Sequence, residues 1–546
     1  MNIMKIAPAP GAHDFQLLIK NILAYSLMLE PEREIVYSNK HRYNYFTLNK
    51  RIRQLANALQ HLGLSGGAPV AVLDYDSHRY LECYFAIPMT ANVLHTVNWR
   101  LSPAQILYTI RHAKDEVIIV HEDFLPLIES FAGQMPSVKH IIVTTDDTAT
   151  QTGAYPHYEA LLAAMPESYD FPDFDEDAVA TMFYTTGTTG DPKGVYYTHR
   201  QLVLHTYHLA ATFGFVAGAT GRFGSDDVYM PLTSMFHVHA WGFPYLATMY
   251  SLKQVYVGKF DAANVLDLIT NEKPTFSHCV PTILQMLFAK AEEVPTDFSG
   301  WKLVSGGAAM PESLAKKAIL KGIDLRASYG MSETCPVICG GYIPLHCKDK
   351  DIDWQAKARS RTGMPPAFVE MKIADEQGNE VAHDDYTTGE ILVRAPWLTQ
   401  GYLHDHERGA QLWEGGYLHT GDVATINKHH SIRIADRIKD VIKSGGEWIS
   451  SLALENYIGQ HHAVAEVAVV GMPDPQWGER PYALVVPATG KTLTIELLQQ
   501  HLQQFIDNGE LSKWAMPEHF EWVSAIPKTS VGKIDKKVIR GQLSKI

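Results

Sequence analysis

The chain has 546 residues, 46% of them hydrophobic and 20% charged, which excludes a disordered or collagen-like protein. This length supports more than one domain and a large core without covalent staples. Its 47 Lys+Arg and 60 Asp+Glu leave a net charge of −13, which argues against a dedicated nucleic-acid binder.

The charge is unevenly placed. Residues 437–546 hold 12 Lys+Arg and 12 Asp+Glu, so the whole excess of acid lies in residues 1–436. Within the neutral tail the end is basic, with Lys528, Lys533, Lys536, Lys537, Arg540 and Lys545 opposed only by Asp535. That pattern suits one small anionic ligand, although on charge alone a solvated helix face explains it more simply. Five cysteines without a regular framework read as free thiols in a reducing, cytoplasmic setting. The first residues lack the apolar run of a signal peptide, and no stretch of about 18 apolar residues occurs, so no transmembrane segment is expected.

In chain order, residues 47–62 predict an amphipathic helix, because Ile52, Leu55, Ala56, Leu59 and Leu62 recur at helical spacing. Residues 70–73 and 116–120 predict short buried strands, and their alternation with helices implies a layered α/β body. Residues 121–175 read as a loop-rich connection. A strand over 178–184 precedes a Gly/Thr-rich segment, a second strand follows at 195–197, and Thr198 has the chemistry of a helix N-cap. Helical and strand patterns alternate to about 345. Residues 363–436 change to short strands with glycine turns, as in a small β-barrel or sheet. Beyond 437 lies a compact α+β unit with strands at 466–470 and 482–486 and a helix at 495–505.

The strongest local signal is Thr185-Thr186-Gly187-Thr188-Thr189-Gly190-Asp191-Pro192-Lys193-Gly194. Its glycines let backbone N–H groups approach an anion, its hydroxyls add donors, and Lys193 adds charge. This is phosphate-cradle chemistry. It differs from the nucleotide loop in which Lys is followed by Ser or Thr, and it returns into a strand where that loop opens a helix.

With this segment the chain resembles the adenylate-forming superfamily of acyl-CoA synthetases, luciferases and peptide-synthetase adenylation domains. Further motifs carry the resemblance in order over about residues 45 to 540: Ser305-Gly306-Gly307-Ala308-Ala309, Tyr329-Gly330-Met331-Ser332-Glu333-Thr334, Tyr417 to Asp422, Asp436 to Asp440, and Pro527 to Lys533. The resemblance implies a large N-terminal domain over 1–436, made of layered α/β subdomains plus a small β-barrel. It also implies a hinge at 437–441 around Lys439, and a small mobile α+β C-terminal domain over 442–546. Thr185, Thr186, Gly187, Thr188, Thr189, Gly190 and Lys193 would bind ATP phosphates. Gly306, Gly307 and Ala308, with Tyr329 stacking, would hold the adenine side, and Gly330, Met331 and Ser332 would bind ATP as well. Asp422 would hold the ribose, Arg437 the same ribose or a phosphate, and Glu333 with Thr185 would hold Mg²⁺. Lys533 would neutralise charge developing between the substrate carboxylate and phosphate.

The likeness is strongest to fatty-acyl-CoA synthetases of medium or long chain, through residues 235–242 and 442–450. In those relatives the tryptophan matching Trp241 gates an apolar tunnel. His237 and Val280 would line the acid pocket, and Ser444, Gly445, Gly446 and Trp448 the slot for the CoA arm. The implied reaction makes an acyl-AMP and pyrophosphate from ATP and a carboxylic acid, then transfers the acyl group to the CoA thiol. A sibling that hands the acyl-AMP to a carrier protein, or a silent nucleotide-binding relative, stays open at this level. So do the acid's identity and the oligomeric state, for which a homodimer is one option.

Overall fold

The computed structural model describes residues 3–147, 152–185, 191–216, 218–444, 447–529 and 533–543, with the backbone alone at 447–448. The Gly/Thr-rich residues 186–190 and the slot residues Gly445 and Gly446 therefore lie outside the described residues, as does the side chain of Trp448.

The helix Tyr45–His61 buries Leu48, Ile52, Leu55, Ala56, Ala58 and Leu59 on one face. Asn44 caps it by accepting from the Thr47 N–H at 3.1 Å, so the helix begins two residues before the start expected at 47. It packs on the helix His78–Met89, which is buried throughout. A six-stranded sheet runs in the order His140–Thr144, Val117–His121, Pro69–Leu73, Val93–Thr96, Val179–Thr185, Lys193–Thr198. Its pairings are parallel except the last. The strand His140–Thr144 sits in the stretch expected to be loop. Its strand partner in the sheet is Val117–His121, and an isolated bridge from Val143 to His157 caps its other side, so a short run can fill this place without long alternation.

A second sheet has eight strands and is parallel over its centre. It is built from residues 228–340 together with the hairpin Glu34–Tyr37 and His41–Asn44, which pairs with Lys253–Tyr256. The two sheets are thus interlocked, because the first strands of the chain belong to the second sheet. The unit at 363–436 is a four-stranded antiparallel sheet of Glu370–Ala374, Gly389–Arg394, Leu418–Ile426 and Ile432–Arg437. The C-terminal unit holds the long hairpin Val464–Asp474 and Gly478–Pro487, with helix Ser451–Gly459 packed on its first strand.

Backbone groups at the carboxyl ends of parallel strands are left free to meet a ligand. Four segments named by the sequence lie at such ends. Thr185 closes its strand, Val280 follows Phe276–Cys279, Gly306 follows Lys302–Ser305, and Gly330 closes Asp324–Gly330.

Candidate active site

The pair expected at the ribose is set by strand register. Asp422 and Arg437 are cross-strand partners on Leu418–Ile426 and Ile432–Arg437, and Arg437 Nε lies 3.2 Å from the Asp422 carboxylate. The Tyr329 hydroxyl donates to the other Asp422 oxygen at 2.6 Å. Burial and that carboxylate push the Tyr329 phenol well above its ordinary range, so it stays a donor. One edge of Asp422 is thereby fixed. Asp422 remains an acceptor-only group suited to paired hydroxyls.

Glu333 sits in the short helical turn Ser332–Thr334 and is 7% exposed. Burial raises its carboxyl above the usual value, opposed by the Tyr402 hydroxyl, Lys193 and Arg437. The Tyr402 hydroxyl donates to Glu333 Oε1 at 2.8 Å. Lys193 Nζ lies 4.6 Å from the centre of the Tyr402 ring, within cation–π range. Across the hairpin Lys193 pairs with Thr185. Tyr197 donates to the Ser332 carbonyl at 2.5 Å and anchors the turn from below. Tyr402 and Tyr197 belong to none of the spaced motifs. Their part is visible only once the turn and the hairpin are packed together.

The donor set suits Mg²⁺ arriving with phosphates. Among the described residues no group of three or more His, Cys, Asp or Glu could hold a metal by itself. One buried carboxylate at Glu333, with Thr185 paired across the hairpin to Lys193, matches an ion that keeps most of its oxygens from water and phosphate. Replacing Tyr402 by Phe removes a bond to a charged acceptor, worth about 1.5–3 kcal/mol. We expect about ten- to hundredfold loss of kcat/KM for ATP in pyrophosphate exchange, with a raised Mg²⁺ requirement and unchanged fold by circular dichroism. Wild-type Mg²⁺ dependence in that variant would detach Tyr402 from Glu333.

Lys533 comes from the C-terminal unit, and its N–H is held by the Thr529 hydroxyl at 3.2 Å. A Cβ placed on Gly307, whose φ is +76°, would lie 3.6 Å from Lys533 Cε, 3.2 Å from Val280 Cγ1 and 3.8 Å from Trp241 Cζ2. The ammonium is lowered to about 8 by burial and by Arg437, against the pull of Asp422 and Glu333. Lys533, Glu333, Asp422, Arg437, Gly307, Val280 and Trp241 therefore meet at one place. His237 joins them. Burial, then Lys533 and Arg100, lower it to about 3, so its imidazole is neutral. Trp241 is 4% exposed. A Cβ on Gly306 would lie 3.4 Å from its indole. Ala308 is exposed at the rim, and Met331 and Ser332 are half-buried beside Glu333.

Of the candidate slot residues, Ser444 makes its contacts within the C-terminal unit. The Ser444 hydroxyl accepts from Arg480 at 3.2 Å, and its strand Ile442–Ser444 pairs with Glu447–Ile449 and Gly478–Pro487, all in the C-terminal unit. Lys439 lies in a turn closed by the Asp440 and Val441 N–H groups on the Arg437 carbonyl, at 2.8 and 2.9 Å. Just before it the buried Asp436 accepts the Ser451 N–H at 2.6 Å, which ties the C-terminal unit to the end of the antiparallel sheet.

Residues 25–403 match the family model described as AMP-binding enzyme, and residues 453–533 match the AMP-binding enzyme C-terminal domain. The chain is 39% identical over 505 residues to a long-chain-fatty-acid–CoA ligase of Thermus thermophilus, covering 92% of this chain and 90% of that one. It is 36% identical to a 3-methylmercaptopropionyl-CoA ligase of Ruegeria lacuscaerulensis, covering 96% and 97%. Among solved structures, an anthranilate CoA ligase in complex with anthranoyl-AMP superposes with a TM-score of 0.85 at 24% identity, over 97% of this chain and 99% of that one. That last likeness concerns the fold. The family model spans well over half of the sequence, and with the site geometry this makes the chain a member of the AMP-binding enzyme family.

Proposed function

We propose that this chain is an AMP-forming acid–CoA ligase in which Lys533 serves the first half-reaction and a rotated C-terminal unit serves the second. The acid–CoA ligase activity agrees with the relatives named above, which are ligases of fatty and related acids. The observation that supports the division of labour is Lys533, 226 positions along the chain from Gly307 yet packed against it and beside Glu333, Asp422 and Arg437.

A carboxylate is a poor acyl donor because its leaving group would be oxide. Its oxygen attacks the α-phosphorus of ATP, the bond to the pyrophosphate oxygen breaks, and the acyl-AMP remains. Asp422, with Tyr329 bracing it, accepts from the ribose hydroxyls. Gly306 and Gly307 give a flat backbone surface beside the purine. Lys533 faces the negative charge that builds on the α-phosphate and the carboxylate. Glu333 and Thr185 would hold Mg²⁺, which when bound offsets triphosphate charge. The neutral His237 can donate one N–H to the acid's carboxylate without adding a second cation beside Lys533. The CoA thiol then displaces AMP, so no protein cysteine is required. All five cysteines are buried free thiols.

The test is acid-dependent ATP–pyrophosphate exchange, followed by detection of acyl-CoA once CoA is added. Exchange without acyl-CoA would make the chain an adenylating enzyme that serves another acceptor. No exchange with any acid would remove the reading altogether.

A pH dependence follows from Lys533. Its charged form does the work and is present below about 8 in the free protein. The value of kcat/KM for adenylation should therefore fall as pH rises through about 8, since this constant reports free-enzyme ionisations. The kcat limb should lie higher, because bound phosphates favour the ammonium. A kcat/KM flat to pH 10 would place the lysine away from the reacting charge.

A further inference from the structure

The turn at 437–441 is strapped by the helix Lys536–Leu543, which begins soon after Lys533. Lys536 and Arg540 lie one turn apart on one face of that helix. Arg540 reaches Asp440 directly, at 2.5 Å. Lys536 reaches Asp436 through Ser451. Its ammonium donates to the Ser451 hydroxyl at 2.5 Å, and that hydroxyl donates to the Asp436 carboxylate at 2.5 Å. The Ser451 N–H, at the start of the helix Ser451–Gly459, donates to the same carboxylate oxygen. Behind Lys536 stands Glu455, 2.8 Å from the ammonium and fixed by the Val469 N–H at 2.8 Å. Asp436 is 2% exposed, and a carboxylate so buried is tolerable only while it is paired and hydrogen-bonded. Burial raises its carboxyl, and Lys536 leads the groups that oppose this.

The two bonds stand on opposite sides of Lys439. Asp440 follows Lys439 and would travel with the C-terminal unit, so its bond to Arg540 survives a rotation there. Asp436 precedes it, on the strand Ile432–Arg437 of the antiparallel sheet, whereas Ser451, Glu455 and Lys536 all lie beyond it. A rotation at Lys439 breaks the Asp436 bonds and strands that carboxylate. Other contacts across this seam are polar as well. The Ser450 hydroxyl donates to the Ala435 carbonyl, and the Glu312 N–H donates to Asn456 at 3.3 Å. A polar seam of this kind can open and close. What it holds in register is Lys533. The Thr529 N–H donates to the Lys533 carbonyl at 2.7 Å and the Asp535 N–H to the Pro527 carbonyl at 2.8 Å, so the lysine's loop is rooted beside Lys536.

We propose that Asp436, Ser451 and Lys536 form a latch that docks the C-terminal unit with Lys533 in the active site, and that opening this latch gates the thioester half-reaction. The inference rests on the two-orientation reading above. All three are positioning residues, acting on the reaction only through the place they give to Lys533. The Arg540–Asp440 pair is a brace within the moving unit and no part of the latch.

The experiment follows both half-reactions separately on the full chain, with the acid that supports the fastest pyrophosphate exchange. Losing a bond to a buried charge shifts the docking equilibrium by about ten- to hundredfold. While docking dominates, the undocked fraction rises by that factor and the docked fraction barely falls. Ser451→Ala removes one hydroxyl and keeps the N–H bond, so the fold survives it. This variant should speed single-turnover thioester formation from pre-made acyl-AMP and CoA by about tenfold, with kcat for acyl-AMP formation within about threefold. Lys536→Met combined with Glu455→Gln, which leaves no unpaired glutamate behind, should act alike. A merely structural defect would slow both half-reactions. Arg540→Gln should give no such gain. A thioester step unchanged or slowed in Ser451→Ala, or an equal gain in Arg540→Gln, would overturn the latch. Hydrogen exchange reads the same contact without catalysis. The Ser451 amide should exchange about tenfold faster in the Lys536→Met/Glu455→Gln protein, and wild-type protection there would also overturn the latch. Pyrophosphate exchange with no acid would instead sink the acid-activating reading, and the amide measurement would still decide the latch.

Discussion

Replacing Lys533 by alanine is expected to cut acyl-AMP formation by about 10²–10³-fold, the usual cost of removing one preorganised group from a developing oxyanion. The same variant, given pre-made acyl-AMP and CoA, should make thioester at close to the wild-type rate. The reason is geometric. Lys533 faces Gly307, Glu333 and Asp422. Displacement of AMP by a thiol places its new charge on a leaving group that Asp422 and Arg437 are proposed to hold. The two half-reactions, followed separately by rapid quench, decide the matter. Equal losses in both would mean that the lysine holds the site together and does not serve one chemical step.

The second large effect is expected from Lys439→Pro. Lys533 and Ser444 belong to the same small unit, yet Lys533 reaches the active site while the Ser444 hydroxyl is engaged by Arg480 within its own unit. Both segments can serve one acid pocket only in turn. The turn at 437–441 carries the backbone from the antiparallel sheet into the strand Ile442–Ser444. Proline at 439 fixes φ near −65° and pushes Ile438 out of the helical region, so the change in backbone angles that a hinge needs is lost. Acyl-AMP formation should persist within severalfold, and thioester formation should fall by about a hundredfold or more. Loss of both alike, or of neither, would count against a rotation at this turn.

Much of the fold is written in local patterns. The helix Tyr45–His61, the strand Pro69–Leu73 and the hairpin strands of the C-terminal unit each have their own period, and Thr198 forms a full capping box with Gln201. The pairing of Glu34–Tyr37 with Lys253–Tyr256 has no such signature, because it joins segments far apart in sequence through backbone groups alone. The site divides in the same way. Tyr329, Glu333, Asp422, Arg437 and Lys533 stand in compact motifs, and the structure draws them together. Tyr402 is an isolated aromatic in sequence and acquires meaning only from its bond to Glu333. The left-handed turn at residues 238–242 is silent too. Val-His-Ala-Trp favours no such geometry, and only Gly242 at its end hints at one.

The interlocked sheets bear on how the chain is made. The hairpin Glu34–Tyr37 and His41–Asn44 emerges early, but its parallel partner Lys253–Tyr256 follows more than two hundred residues later. At about 5–20 residues per second, synthesis leaves roughly 10–40 s in which the outer edge of Ile35, Val36 and Tyr37 has no neighbour. An apolar strand edge waiting that long is a template for pairing with other chains. Arg42 and Glu34, which form an ion pair across this hairpin, place charge on it during the wait. Removing that charge should lower the yield of soluble protein from fast expression more than it lowers the stability of the finished fold.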